Sequence, residues 1–510
     1  MAGHGPIGGS PSGLEDYEES EHSGKVVRIA SVAALGGLLF GYDSAVINGA
    51  VSAIEGQFGV GGWKLGFAVA SALLGAAIGA LTGGRLADKI GRLAVMKIAA
   101  LLFLISALGA GLSYNFVGSN DDYYLGLPSG VWMLVVFRII GGVGVGVASV
   151  IAPMYIAETS PPRIRGRLGS LQQLAIVTGI FLSLAIDYLL AHLAGGSGHV
   201  LWLGLEAWRW MFIAMTVPAV VYGVLAFTIP ESPRYLVANF RIPEARKVLA
   251  VLLGEKNLEI TISRIQESLK SDKPPSWRDL RKPTGGIYGI VWVGLGLSVF
   301  QQFVGINVIF YYSNILWEAV GFGESAAFVI TVITSVTNIV TTLIAIALVD
   351  KVGRKPLLLV GSIGMAVTLG TMAIIFGLVA ELQPNAAGEL VPILPGASGP
   401  IALIAANLFV VAFGMSWGPM VWVLLGEMFP NRIRAAALGL AAAGQWVANW
   451  LITVTFPGLR DHLGAAYGFY ALCAGLSFVF VWRWVAETKG KHLEDMQGAA
   501  LHHDQQSAVT

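Results

Sequence analysis

The same set of polar loops occurs twice in this chain, each time between long apolar segments. Gly84-Arg85-Leu86-Ala87-Asp88-Lys89-Ile90-Gly91-Arg92 returns, shortened, as Asp350-Lys351-Val352-Gly353-Arg354-Lys355. Glu158-x-x-Pro161-x-Arg163-Ile164-Arg165 returns as Glu427-x-x-Pro430-x-Arg432-Ile433-Arg434. Pro230-Glu231-Ser232-Pro233-Arg234 closes the first half, and Ala486-Glu487-Thr488-Lys489-Gly490-Lys491 closes the second. Duplication of this kind in an apolar chain predicts two halves related by a pseudo-two-fold axis. Composition excludes a soluble fold: 55% of the residues are hydrophobic and 12% are charged, about half the charged share of a soluble domain.

A membrane-spanning helix needs roughly 20 apolar residues. Stretches of that length run at 26–49, 63–84, 93–114, 130–156, 168–194 and 208–229, and again at 285–317, 325–349, 356–380, 399–426, 434–457 and 463–485. The expectation is an all-α membrane protein of twelve transmembrane helices in two six-helix halves, 25–230 and 284–496. The polar stretch 231–283 carries charges at helical spacing and reads as short amphipathic helices linking the halves. Residues 1–24 and 497–510 read as disordered tails. With the N-terminus inside, every Lys and Arg except Lys64, Arg138, Arg209 and Arg460 falls on the inner side. The positive-inside rule therefore places both termini and the linker in the cytoplasm.

Glycines recur four apart, as Gly75, Gly79 and Gly83 in helix 2 and Gly142 and Gly146 in helix 4. Small residues at that spacing let membrane helices approach closely. A dinucleotide-binding reading of Gly142-Val143-Gly144-Val145-Gly146 fails, because Val147 holds the last glycine position and no strand precedes. Cys473 is the only cysteine, which excludes an intrachain disulfide and a Cys-based metal site. The histidines form no helical pair, and basic-aromatic patches for nucleic acid are absent. Neither metal, cofactor nor nucleic acid is expected.

The polar residues inside apolar helices nominate a site. Gln172 and Gln173 lie in helix 5, Gln301, Gln302 and Asn307 in helix 7, and Asn338 in helix 8. Gln445 and Asn449 share a face of helix 11, beside Trp446. Unpaired amides in hydrocarbon are costly, so these face the bundle interior or each other. An amide offers donor and acceptor together, which suits a neutral polyhydroxyl ligand, and an indole suits the C–H face of a sugar ring. The plainer reading is glue between helices. Gln301 and Asn307 are six residues apart and point away from each other on a regular helix, but Gly305 permits a break. Gly418-Pro419, ahead of Trp422, suggests another in helix 10.

Asp43 in helix 1 and Arg138 in helix 4 are the deepest charges, and intramembrane charges are functional by default. Desolvation favours a neutral acid and a nearby arginine favours the anion, so small movements can switch protonation. A fixed salt bridge is the alternative. Asp187 is expected near the outer surface, without a role. At the helix ends, Asp88, Glu158, Glu231, Asp350, Glu427 and Glu487 accompany Arg92, Arg165, Arg234, Arg354 and Arg434. Topology explains the arginines but not the acids. Arg–carboxylate pairs there can latch the two halves in one conformation and release them in another.

Gly84-Arg85-x-x-Asp88-x-x-Gly91-Arg92, Pro230-Glu231-Ser232-Pro233-Arg234, Gln301-Gln302-Phe303-x-Gly305-x-Asn307 and Glu487-Thr488-Lys489-Gly490 resemble the signatures of the sugar porter family of the major facilitator superfamily. The resemblance covers nearly all of 26–496 and is nearest in pattern to bacterial proton-coupled xylose, galactose and glucose symporters. Ala486 departs from the usual proline. The resemblance implies sugar contacts at Gln173, Gln301, Gln302, Asn307, Asn338, Trp422 and Gln445, a lining of Phe40 and Trp446, and an extracellular gate at Tyr311 and Tyr312. Ile180 stands where the xylose symporter has glutamine, which points to a hexose. Asp43 stands at the symporters' proton carrier, where passive facilitators have asparagine. The implied function is import of a monosaccharide with a proton by alternating access, by a monomer in the cytoplasmic membrane. A passive uniporter and a sugar sensor on the same scaffold are the alternatives. No covalent chemistry is implied.

Overall fold

The computed structural model describes residues 23–114, 123–160, 165–254, 258–271, 277–283, 285–384, 390–429 and 433–488. The expected tails, apart from Ser23 and Gly24, lie outside the described residues. The first half contains α1 (Ser23–Phe58), α2 (Gly62–Ile90), α3 (Arg92–Gly111), α4 (Ser129–Thr159), α5 (Arg165–Ala194), α6 (Ala207–Ile213) and α7 (Thr216–Leu225). The linker folds into α8 (Pro233–Ala238), α9 (Ile242–Leu253) and α10 (Leu258–Ser271). The second half contains α11 (Gly289–Phe303), α12 (Ile306–Ala319), α13 (Glu324–Val352), α14 (Arg354–Ile374), α15 (Ser398–Gly414), α16 (Trp417–Glu427), α17 (Arg434–Leu459) and α18 (Leu463–Trp484).

Among the described residues, eleven stretches are long and apolar enough to cross a membrane, and the last, Gly439–Trp484, holds both α17 and α18. Only the short turn Arg460–His462 separates those two helices. Twelve crossings result, six in each half.

Three crossings are built from two helices each: α6 with α7, α11 with α12, and α15 with α16. At the second break Gly305 adopts a left-handed conformation (φ 81°), which costs glycine little. The other two have a common cause. A proline has no N–H for the carbonyl four residues back and its ring crowds that carbonyl. Pro218 acts in this way on Ala214, and Pro419 on Met415, where the respective helices part. The break in helix 10 therefore lies a turn before the Gly418-Pro419 pair that signalled it.

Glycines bring α2 and α4 into backbone contact. A Cβ on Gly142 would stand 1.8 Å from the Ala72 carbonyl oxygen, and one on Gly146 2.1 Å from that of Ala76. From the other side, Gly75 abuts the Ile139 carbonyl. The pair α1 and α5 meets similarly through Gly41 and Gly179. The linker helices have a small apolar core of their own, Leu236, Val237, Ala245, Leu249 and Ile262.

The sequence repeat has one local solution in both halves. Gly91 and Gly353 precede α3 and α14 with nearly equal backbone angles (φ 98°, ψ 160° and φ 102°, ψ 165°). Glu231 then accepts the Arg92 and Leu93 N–H groups at 3.1 and 3.3 Å. Glu487 accepts those of Arg354 and Lys355 at 3.1 and 2.9 Å. Each carboxylate satisfies N–H groups that a helix start leaves unpaired and sits at the positive end of the helix dipole.

Candidate functional site

The second half carries a cluster of amides around the break between α11 and α12. The break after α11 lets Gln301 and Asn307 point to the same place: Asn307 Nδ2 donates to Gln302 Oε1, and Gln302 Nε2 approaches Gln301 Oε1 at 3.4 Å. Gln301 is the hub. Its amide donates to the carbonyls of Trp417 and Gly418, each at 3.0 Å, at the start of α16. Its oxygen accepts from Gln445 Nε2 of α17 at 2.6 Å. Two other helices, α16 and α17, thus converge on one side chain of α11.

None of the other expected contacts bonds to this hub among the described residues. Gln173 and Ile180 are half-buried on α5, and Asn338 is buried on α13. Trp422, on α16, keeps 39% of its surface exposed, enough for one face of the indole to remain open. The rings of Phe40 on α1 and Trp446 on α17 lie 5.7 Å apart across the halves. Gln172 turns back onto Gly37 of α1.

Asp43 and Arg138 are 1% and 2% exposed, with Arg138 Nη1 3.8 Å from the carboxylate and 2.8 Å from the Asp43 backbone oxygen. Neither carboxylate oxygen has a hydrogen-bond partner among the described residues. A cavity of about 10 Å³ lies beside them, lined by Ser44, Val69, Ala72, Leu73, Ala76 and Tyr311 among others, room for about one water. Tyr311 belongs to α12, so the opposite half walls this pocket; it also faces Ser44 and Asn449. Tyr312 donates to the Thr453 carbonyl at 2.7 Å and stacks near Phe456. Asp187 lies toward the end of α5, as expected, but is fully buried, with its carboxylate against Gly49 of α1.

At the linker end of the bundle, Arg92 makes a two-pronged bond to Glu158 at 2.8 and 2.9 Å and meets Asp88 at 3.1 Å. Ser232 donates to Glu158. These pairs, and the Glu487 contacts with Arg354, join helices of the same half. Arg234 is half-buried in the first turn of α8. The side chains of Arg165, Asp350, Glu427 and Arg434 lie outside the described residues.

The far end carries contacts that sequence reasoning missed. Arg460 pairs with Glu55 at 2.8 and 3.0 Å, Ser52 donates to Glu318 at 3.3 Å, and the Ser197 N–H donates to Glu324 at 2.9 Å. All three join the first half to the second. Arg460 was visible as one of four basic residues outside the inner set, but its partner, some 400 residues away, was not.

Two six-helix halves with broken crossings, and an amide cluster at one of the breaks, define a carrier of the major facilitator fold, an integral membrane protein. Comparison with known proteins makes this specific. The chain belongs to the family described as "Sugar (and other) transporter", which it matches over residues 29–500. It is 52% identical to the glucose transport protein of Synechocystis over 92% of this chain and 97% of that one. It is 38% identical to the D-xylose-proton symporter of Escherichia coli over 93% and 96% of the two chains. A solved structure of the E. coli xylose transporter, titled as partially occluded and inward open, superposes with a TM-score of 0.76 over 92% of this chain and 99% of that one, at 38% identity.

Proposed function

We propose that this protein imports a hexose of glucose type together with a proton, by alternating access, and is not an enzyme. The observation that carries coupling is the buried Asp43 carboxylate beside Arg138, in a water-sized cavity closed by a tyrosine of the other half. Kinship to a glucose transport protein and a D-xylose-proton symporter supports the substrate class and the coupling. Ile180 favours the hexose.

The amide hub, with Gln173, Asn338, Trp422, Trp446 and Phe40, holds the sugar between the halves. Hydroxyls of the ring replace the amide–amide bonds, since each amide offers both a donor and an acceptor. Asp43 takes a proton from the outer side and releases it inside. When it is ionised, its attraction to Arg138 holds helices α1 and α4; when it is neutral, that hold is lost and the carrier reorients. Tyr311 and Tyr312 on α12 form the outer gate, and Tyr311 links that gate to the proton site.

Basic residues place both termini, the linker 231–283 and the tails 1–24 and 497–510 in the cytoplasm, with 25–230 and 284–496 as the moving halves. The far end is then the outer face, and the bridges there make this the outer-closed arrangement. Arg92, Arg165, Asp88, Glu158, Glu231 and Arg234, with their repeats Asp350, Arg354, Glu427, Arg434 and Glu487, form the inner gate. Within each half the Arg92–Glu158 pair and the Glu231 and Glu487 contacts stiffen the helix ends that meet when the inner side shuts. The protein works as a monomer, with sugar, proton and bilayer as its partners.

Uptake of labelled glucose into proteoliposomes with an imposed proton gradient tests this reading. Sugar should accumulate, the outside should become more alkaline, and a protonophore should reduce uptake to equilibration. Uptake indifferent to the protonophore would make the protein a uniporter.

A further inference from the structure

Asn48 lies in α1 five residues beyond Asp43, 1% exposed, and none of the sugar, proton or gate roles above includes it. Its side chain crosses to the other half. Nδ2 donates to the Phe310 carbonyl of α12 at 3.1 Å, and Oδ1 accepts the Asn314 N–H at 3.1 Å. Those two backbone groups are four residues apart. They are the pair that a regular α-helix bonds to each other. The amide therefore spans both members of one rung of the gate helix. Only one orientation of the amide satisfies both contacts, because the donor must meet the carbonyl and the acceptor the N–H. The neighbouring polar groups are already engaged: Thr331 Oγ1 of α13 lies within hydrogen-bond distance of the Asn314 side-chain oxygen, at 3.0 Å, and of the Ser313 hydroxyl, at 2.7 Å.

We propose that Asn48 is the pin of the outer gate, a positioning residue whose amide holds α12 on α1 whenever that side is shut. The assignment rests on the alternating-access reading above and adds to it the residue that decides how long the gate stays closed. Opening the outer side separates α1 from α12, so both bonds must break. The helix loses nothing when they do, since Phe310 and Asn314 can then pair with each other. Such a contact is made and released without leaving an orphaned backbone group, which a bond to any isolated carbonyl in hydrocarbon would do. It also places the gate contact on the helix that carries Asp43, while Tyr311 of the gate helix lines the Asp43 cavity.

Because that pair can bond within its own helix, apolar replacements should fold. Asn48→Leu and Asn48→Ala are made as a pair, so that misfolding of one leaves the other, and Asn48→Ser supplies a group that can donate and accept. Spin labels at Val200→Cys in the first half and Ser325→Cys in the second, in a Cys473→Ser background, report opening of the outer side in proteoliposomes. Asn48→Leu and Asn48→Ala should raise the open-to-closed ratio about tenfold, equivalent to ~1.4 kcal/mol. Their kcat for uptake should fall by a similar factor while KM for external sugar stays level or drops, because the outward-open state binds that sugar. Asn48→Ser should recover part of both changes. Wild-type distances and wild-type kcat in the Leu and Ala variants would overturn the proposal, and so would an equal loss of folded protein and activity with no shift in distance. If the unsubstituted protein carries no sugar, the functional reading fails instead, and the distances still decide the role of Asn48.

Discussion

A glutamine that binds two other helices at once differs from one that waits for ligand, and the distinction is testable. Gln301 holds the Trp417 and Gly418 carbonyls and the Gln445 amide. Gln301→Ala should cost both fold and binding, about 1–3 kcal/mol of stability from the groups left unpaired, read as a lower melting temperature with weaker sugar affinity. Gln173, half-buried on α5, should behave otherwise: Gln173→Ala weakens binding by a similar amount and leaves the melting temperature unchanged. Loss of stability in both variants with normal sugar affinity would reduce the cluster to helix-to-helix glue. Asp43→Asn should imitate the protonated carrier permanently. Counterflow between preloaded and external sugar persists, since exchange needs no net proton movement, while accumulation and external alkalinisation vanish. Concentrative uptake by a well-folded Asp43→Asn protein would refute the carrier role. A purely structural pair with Arg138 would instead lose expression, binding and counterflow together.

Elements were legible to different depths. Long apolar runs announced the crossings, because a spanning helix has no other way to satisfy its backbone in lipid. Gly305 announced its break, and Pro419 announced one that begins four residues earlier. The division between α6 and α7 went unread although Pro218 carried the same signal; the run 208–229 looks uniformly apolar, and hydropathy does not register a missing N–H. The amides were visible one by one, but not that Gln301 is their hub, since that depends on how α11, α16 and α17 pack together. The acid–arginine loops were visible as a repeat, yet the role of Glu231 and Glu487 as helix caps was not, because each caps a helix more than 130 residues away. Glu231→Ala and Glu487→Ala should each destabilise by about 1 kcal/mol, the usual worth of an N-terminal cap, and lower the melting temperature to the same degree. Unaltered melting in either variant would show that its cap is dispensable.

At the scale of the molecule, orientation rests on charge. Reporter tags at both termini and in the linker should be cytoplasmic, and a tag in the segment between α3 and α4 external; an external linker would sink the whole arrangement, gates included. The caps carry a further consequence, for how such a chain is made. Synthesis runs from the N-terminus, and Glu231 is the last residue that the first half needs to finish α3. It emerges well before Gly289 starts the second half, with α8, α9 and α10 still to follow. The first six crossings can therefore complete their own polar network before any part of the second six exists, and the second half closes in the same way on Glu487. A cap carried at the end of each half lets that half assemble as a unit. Two separately expressed chains divided within 255–257 should accordingly find each other in the membrane and restore uptake.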